Sequence, residues 1–236
     1  MSEDKKFIPP EVAIVMITRN SAKHLPAAVE AIIKNTKYPY KLIIVEAEST
    51  DVTPALCDHY AAICPLVEVH HIKNEGAIKA LNYGLRVSDP RDVYLTHDDV
   101  IHPKLYRKDW LAEFVNLTQF DDCGAITAVN GMGESGPDYV DGFKWTGTWS
   151  WYIRRSTINK IGYFDENFGT GNGDDIDYSY RIHKAGLKCY IAPVYVEHHR
   201  ITGQRQIDEE GAEELEKLKQ KNAAYFRKKH GIKIKR

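Results

Sequence analysis

Long hydrophobic runs are missing from this 236-residue chain. None is long enough to span a bilayer, and the opening residues, Met1 to Lys6, are too polar for a signal peptide. An excess of either charge is missing too. Lys and Arg number 32 against 33 Asp and Glu, a formal net charge of −1, so no field marks nucleic acid or a membrane as the main partner. Cysteine is scarce: Cys57, Cys64, Cys123 and Cys189 show no CxxC and no metal-finger spacing. They read as buried thiols of a reducing compartment, which makes the cytoplasm the expected location. A phosphate-binding Walker loop is absent. Gly169-Thr170-Gly171-Asn172-Gly173 lacks the GxGxxG spacing and falls late in the chain rather than after the first strand, which argues against a dinucleotide oxidoreductase. Repeats and low-complexity stretches are lacking as well. Asn116-Leu117-Thr118 fits a glycosylation acceptor pattern by chance, within a helical segment.

The length suits one α/β domain over residues 1–236, with an N-terminal tail at 1–10 and a C-terminal helix and basic tail at 208–236. Val12 to Thr18 and Lys41 to Val45 are continuous apolar runs, as expected of strands buried on both faces. Each is followed by polar residues and then by a helical pattern. Leu25, Val29, Ile32 and Ile33 share one face, as do Leu56, Tyr60 and Ile63. Ser49, Thr50 or Asp51 can cap the second of these helices. Leu66 to His71 predicts a third strand, and Asn74-Glu75-Gly76 opens a helix striped by Ile78, Leu81 and Leu85. The small residues Gly76, Ala80 and Gly84 let that helix approach the sheet or a ligand closely.

Val93-Tyr94-Leu95 then runs into Thr96-His97-Asp98-Asp99-Val100-Ile101-His102-Pro103. Charge at the end of a buried strand is costly without a partner. Ligands of open α/β sheets bind beyond the carboxyl ends of the strands. The two acids therefore suit a divalent cation, unless one merely caps a helix beginning near Pro103. Further on, a helix carries Trp110, Leu111, Phe114 and Val115, and Cys123 to Val129 predicts another strand. Asn130 to Lys144 reads as a long mobile loop able to act as a lid. Alternation puts Trp145, Trp149 and Trp151 on one face of a strand, lining a sugar site or filling the core. Ser156 to Ile161 predicts a short helix, Phe168 to Gly173 a flexible stretch, and Asp174 the start of another helix. Three acids in its first turn complement the helix dipole. Asp177 and Arg181 form an i, i+4 pair, which leaves Asp174 and Asp175 to be explained. Gly186 ends this helix, Lys188 to Pro193 is a last strand leading to His198-His199, and Asp208 to Lys229 is a final helix. The basic end of that helix reads as a solvated surface, with peripheral membrane contact as the alternative.

In their order and spacing these motifs resemble the family 2 glycosyltransferases of the GT-A fold, from Val12 to about Gly231. The matching segments are ITRN, VEAESTD, the helix bearing Asn74, Gly76, Ala80, Asn82 and Gly84, then LTHDDVIHP, IGYFDENF and GDDIDYSYRIHKAG. The resemblance implies a single Rossmann-like α/β domain with a mostly parallel central sheet flanked by helices. It implies a nucleoside-diphosphate sugar donor, a glycan, glycolipid or other hydroxyl acceptor, and a Mn²⁺ or Mg²⁺ cofactor. For the donor it implies Thr18, Arg19, Asn20, Glu46, Ser49, Asn74, Gly76, Lys79, His97, Asp98 and Trp149. For the metal it implies Asp98, with Asp99, His198 and His199 as further candidates, and for the inverting chemistry Asp175 as base beside Asp174. Two positions depart from the family pattern: Thr96 stands for the first acid of Asp-x-Asp, and Ala47-Glu48 for the usual Asp-Gly. The first departure keeps open a catalytically inactive nucleotide-sugar-binding module. A nucleotidyltransferase is the other alternative, although Thr18 to Ser21 lacks the glycine such enzymes carry there.

Overall fold

The computed structural model describes residues 11–105, 108–129, 132–135, 144–199 and 211–232. β1 (Val12–Thr18), β2 (Tyr40–Ala47), β3 (Val67–Ile72) and β4 (Val93–His97) alternate with α1 (Leu25–Asn35), α2 (Thr53–Ile63) and α3 (Ala77–Val87). These strands are parallel, and β1 lies between β2 and β4. Side chains alternate across the sheet. Val12, Ile14 and Met16 of β1 join one core beneath α1, α2 and α4 (Trp110–Leu117), while Ala13 and Val15 join a second. That second core is covered by α3, α5 (Arg155–Ile161) and α6 (Asp174–Lys184). Two helical layers therefore enclose the sheet, which is why β1 and β2 read as unbroken apolar runs. α3 sits especially close: a Cβ on Gly84 would stand 2.3 Å from Val15 Cγ1.

Beyond β4 the chain departs from simple alternation. β5 (Val100–Ile101) follows at once, and Asp109 rather than Asp98 or Asp99 caps α4, accepting from the Leu111 and Ala112 amides at 3.0 and 3.1 Å. β6 (Cys123–Val129) leads to β7 (Met132–Ser135), which pairs antiparallel with β8 (Lys144–Thr146). The long loop expected over Asn130 to Lys144 is thus broken by β7; the rest of it lies outside the described residues. β9 (Ser150–Ile153) inserts antiparallel between β4 and β6, and β10 (Lys188–Tyr195) completes the order β10-β6-β9-β4-β1-β2-β3.

The three tryptophans do not share one strand face, because a turn at Gly147 to Trp149 separates β8 from β9. Trp151 is fully buried in the core, and Trp145 packs on a small cluster of Phe168, Tyr180 and Phe226. Trp149 stays half-buried in the turn before β9. A short ribbon joins β5 to β11 (Glu197–His198), with Val100 opposite His198. α7 (Ala212–His230) closes the described chain; residues 200–210, including the expected start at Asp208, lie outside it. No described helix is long and apolar enough to cross a membrane. All four cysteines are free thiols, Cys57 and Cys123 buried and the other two half-buried.

Candidate functional site

The sheet order reverses between β1 and β4, where neighbouring connections leave in opposite directions and open a crevice beyond the strand ends. Thr18 ends β1 level with Glu46 of β2, and Ile17 is level with His97 of β4. Asp98, one residue past β4, comes back across this gap. Its buried carboxylate accepts a 2.6 Å bond from Thr18 Oγ1. Thr96, two residues earlier, is wholly buried within the sheet.

The rim is stitched by the polar loops after β1 and β2. Ser49 Oγ and Thr53 Oγ1 each accept a 2.8 Å bond, from the Asn20 and Ser21 amides respectively. Asn20 Oδ1 in turn accepts from the Thr50 amide at 2.8 Å. Asn20 and Ser49 hold the rim's backbone and do not line the crevice, and neither does Glu46. The Glu46 carboxylate is buried, accepts from the Ser49 amide at 2.7 Å and lies 2.9 Å from His71 Nδ1. Glu46 and Asp58 hold a proton on His71 and raise its pKa. Lys79 also lies off the crevice, 3.4 Å from Glu75.

The crevice measures about 610 Å³, a size usual for small-molecule sites. One wall is formed by Thr18, Arg19, Asn74, Gly76, His97 and Asp98. Asn74 is set by Glu48, which accepts from its amide at 3.1 Å, so the unexpected acid at 48 shapes the wall from outside. The rest of the lining includes Thr170 to Asn172 and the N-terminus of α6, which adjoin the first wall at Gly76, and Trp149. Asp98, Asp174 and Asp175 therefore share one cavity, although 76 residues separate the first two in sequence.

Asp174 is 6% exposed and Asp175 half-buried. Burial raises both pKa values, and the charge of Asp175 raises Asp174 further. Backbone bonds at the helix start, including 2.8 Å from the Ile176 amide to Asp175 Oδ1, oppose this without cancelling it. Asp177 is different. It is fully buried and paired with Arg181 Nε at 2.8 Å and Lys229 Nζ at 2.7 Å, with His230 Nε2 at hydrogen-bond distance, 2.8 Å. The expected i, i+4 pair is present and Asp177 is structural.

Beside the crevice, the β5–β11 ribbon carries His198 to Asp99. The ligand atoms of His97, Asp99 and His198 all lie within 4.8 Å of one another, a spacing one metal ion can span. Two imidazoles and one carboxylate suit Mn²⁺ better than Mg²⁺, which prefers oxygen. Trp149 stacks on His198 at 4.5 Å and 17°, joining this group to the crevice. His199 points elsewhere: it is exposed and lies 3.8 Å from Glu197. His102 is in the core. Burial pushes its pKa down to about 3, and its Nε2 meets Tyr94 Oη at 3.1 Å.

A family model described as "Glycosyl transferase family 2" matches residues 13–173. The chain belongs to this family. The match stops just before Asp174, so the two carboxylates are placed by the geometry above. Among curated proteins, the glycosyltransferase GlyG of Streptococcus pneumoniae serotype 4 is 31% identical over 91 residues, 38% of this chain and 30% of GlyG. YibD of Escherichia coli K12, described as an uncharacterized glycosyltransferase, is 27% identical over 97 residues, 41% of this chain and 28% of YibD. The matched part thus spans under a third of either relative's length.

Solved structures share the fold at low identity. The mannosyltransferase PcManGT from Pyrobaculum calidifontis, in complex with GDP-Man and Mn²⁺, superposes with a TM-score of 0.63 at 23% identity, over 78% of this chain and 55% of that one. GalNAc-T7, crystallised with UDP, GalNAc and Mn²⁺, gives 0.67 at 16% over 80% of this chain and 44% of that one. The family 2 chain has the GT-A architecture: a mostly parallel sheet between helices, with a C-terminal helix.

Thr170 to Asn172, expected only as part of a flexible stretch, and Gly147 to Thr148 line the crevice but were not among the expected site residues. Both segments are glycine-bearing connections beside aromatic residues, and that is the only signal they carry.

Proposed function

We propose that this chain transfers a sugar from a nucleoside-diphosphate sugar to a hydroxyl acceptor, with inversion and with the help of a divalent cation. The observation that carries the reading is the shared crevice, with Thr18–Asp98 on one wall and two carboxylates of raised pKa elsewhere in its lining. The donor lies along the first wall, where Arg19 offers positive charge to the diphosphate and Asn74 polar contacts. His97, Asp99 and His198 hold the cation, and Asp98 stays bonded to Thr18. When bound, the cation neutralises charge gathering on the leaving diphosphate.

Asp175 is the base. The acceptor hydroxyl gives its proton to the Asp175 carboxylate while its oxygen bonds to the anomeric carbon. The bond from that carbon to the diphosphate oxygen breaks, and a single displacement inverts the centre. A carboxylate with raised pKa is a stronger base than an ordinary one, provided it is ionised at the working pH. The neighbours' GDP-Man and UDP complexes make GDP- and UDP-sugars the first donors to try. The reading includes a single domain, acting in the cytoplasm.

A thermal-shift panel of GDP-, UDP-, dTDP- and CMP-sugars with Mn²⁺ or Mg²⁺ tests donor binding. A ligand that binds only the native state raises Tm, by about 2.7 kcal/mol of stabilisation at a hundredfold excess over Kd. One nucleotide class should raise Tm, and more so with Mn²⁺. A panel without any shift rejects the reading.

A further inference from the structure

The wall that carries the base is built from backbone with little regular structure. Between the short 3₁₀ turn Glu166–Phe168 and α6 the chain passes through Gly171 at φ +116°, Asn172 at +65° and Gly173 at +126°. Such a path leaves carbonyls outside any helix or strand; that of Phe168 accepts from the Gly171 amide at 3.2 Å, and those of Gly171 and Asn172 need donors from elsewhere. α7 supplies them. Asn222 is 1% exposed, and its Nδ2 faces the carbonyls of Phe168, Gly171 and Asn172 at 3.1, 2.8 and 3.2 Å. Only the NH₂ end of the amide can meet three carbonyl oxygens, so the side chain's orientation is fixed.

The surroundings of Asn222 reinforce this contact. Asp165, at the start of the loop, accepts 2.8 Å from Tyr225 Oη and 2.7 Å from Lys229 Nζ. Burial alone would raise the Asp165 carboxyl, but Lys229, the Asn167 amide and Tyr225 together hold it well below the usual range. The Tyr225 ring meets Phe168 edge-on at 5.2 Å. Lys229 and His230 reach past the loop to Asp177 of α6. The loop also abuts Gly76 of the first crevice wall, where a Cβ would come within 3.2 Å of the Gly169 carbonyl. The stretch expected to be flexible is thus strapped from behind by α7, and its free side lines the crevice.

We propose that Asn222 is a positioning residue: through the three carbonyls it fixes the loop that sets Thr170 to Asn172 and the start of α6 against the bound substrate. This rests on the reading of Asp175 as the base. Asn222 does not itself line the crevice, and the loop it holds runs directly into α6, so its effect falls first on the base and leaves the strand-end residues Thr18, Arg19 and Asp98 in place. Such a division separates it from a residue that merely supports the fold, whose loss weakens every function together.

The test compares wild type with Asn222→Asp, which keeps the shape but turns lone pairs toward the carbonyls. Tyr225→Phe serves as a milder second variant that keeps the ring on Phe168. Amide hydrogen exchange, Kd for UDP and GDP with Mn²⁺, and turnover of UDP- and GDP-sugars with kcat and KM separated are measured on each. Exchange at residues 168–175 should accelerate about tenfold or more in Asn222→Asp, with the strands unchanged. Turnover should show kcat falling by about 10- to 100-fold, as for a reacting group displaced by an ångström, with nucleotide Kd within about threefold. Tyr225→Phe should shift exchange and kcat the same way, but less. Unchanged exchange at 168–175 overturns the proposal, and so does a parallel loss of nucleotide affinity and kcat. Should wild type turn over no donor, the glycosyltransferase reading fails, and exchange alone then decides whether Asn222 holds the loop.

Discussion

Asp174 and Asp175 sit where the molecule favours their neutral forms, since burial raises both and the Asp175 charge raises Asp174 further. A raised native pKa means the folded state binds protons more tightly than the unfolded one. Stability is then lost as pH climbs from the ordinary carboxylate range through the native titration of the pair. Asp174→Asn removes that loss. Without divalent cations, the variant's Tm should match wild type near about pH 4 and exceed it near about pH 8. Equal Tm values at both pH values would show that the pair is not destabilised by ionisation. The same shift sets the expected rate profile, with transfer falling as pH drops through the pair's titration, above the range of a solvated Asp. Asp98 and Asp99 illustrate what residue types could not reveal. They are adjacent and identical, yet one bonds Thr18 and the other faces His198. Only the turn between β4 and β5, which they form, sends them to different partners.

At the scale of elements, the β5–β11 ribbon matters because it unites Asp99 with a histidine nearly a hundred residues later. A two-residue strand has too little pattern to be read from sequence, so His198 and His199 were equivalent there. His198 is half-buried within β11, while His199, one residue past it, is exposed. His198→Ala should weaken Mn²⁺ binding by at least about tenfold in a calorimetric titration, while His199→Ala leaves it unchanged. Equal losses in the two variants would contradict the His97–Asp99–His198 grouping. α3 offers a separate test of packing. Alanine improves on glycine by about 1 kcal/mol in a helix interior. At Gly84, however, the new methyl would stand 2.3 Å from a β-branched side chain of the central strand. Overpacking of that kind costs about 1–3 kcal/mol, so Gly84→Ala should lower the urea-unfolding free energy despite the better propensity. A variant as stable as wild type would mean that α3 shifts freely on the sheet. Of the small residues on this helix, Gly84 serves the sheet, while Gly76 and Ala80 line the crevice.

For the whole molecule, the β1 to β4 half was legible because strands buried on both faces and amphipathic helices leave strong periodic signals. The remainder was less so, for a physical reason. β9 runs antiparallel and follows a tight turn, so its Trp151 read as part of a single strand with Trp145 and Trp149. The α7 strap was invisible because Asn222 looks like any polar helix residue until the loop it holds is in view. The candidate site was legible as a set of residue types at strand and helix ends. What the sequence lacked was the division between residues facing the crevice, such as Asp98 and Asn74, and those bracing it, such as Asn20, Ser49 and Glu46. The central claim is that one crevice holds a nucleotide-sugar against Asp175. The most direct measurement is the initial rate of nucleoside diphosphate release from UDP- and GDP-sugars with Mn²⁺, for wild type and Asp175→Asn, with nucleotide affinity measured on both. The account predicts release by wild type and a loss of about 10²–10⁴-fold in the variant, at unchanged affinity. A variant that releases nucleotide as fast as wild type would contradict it.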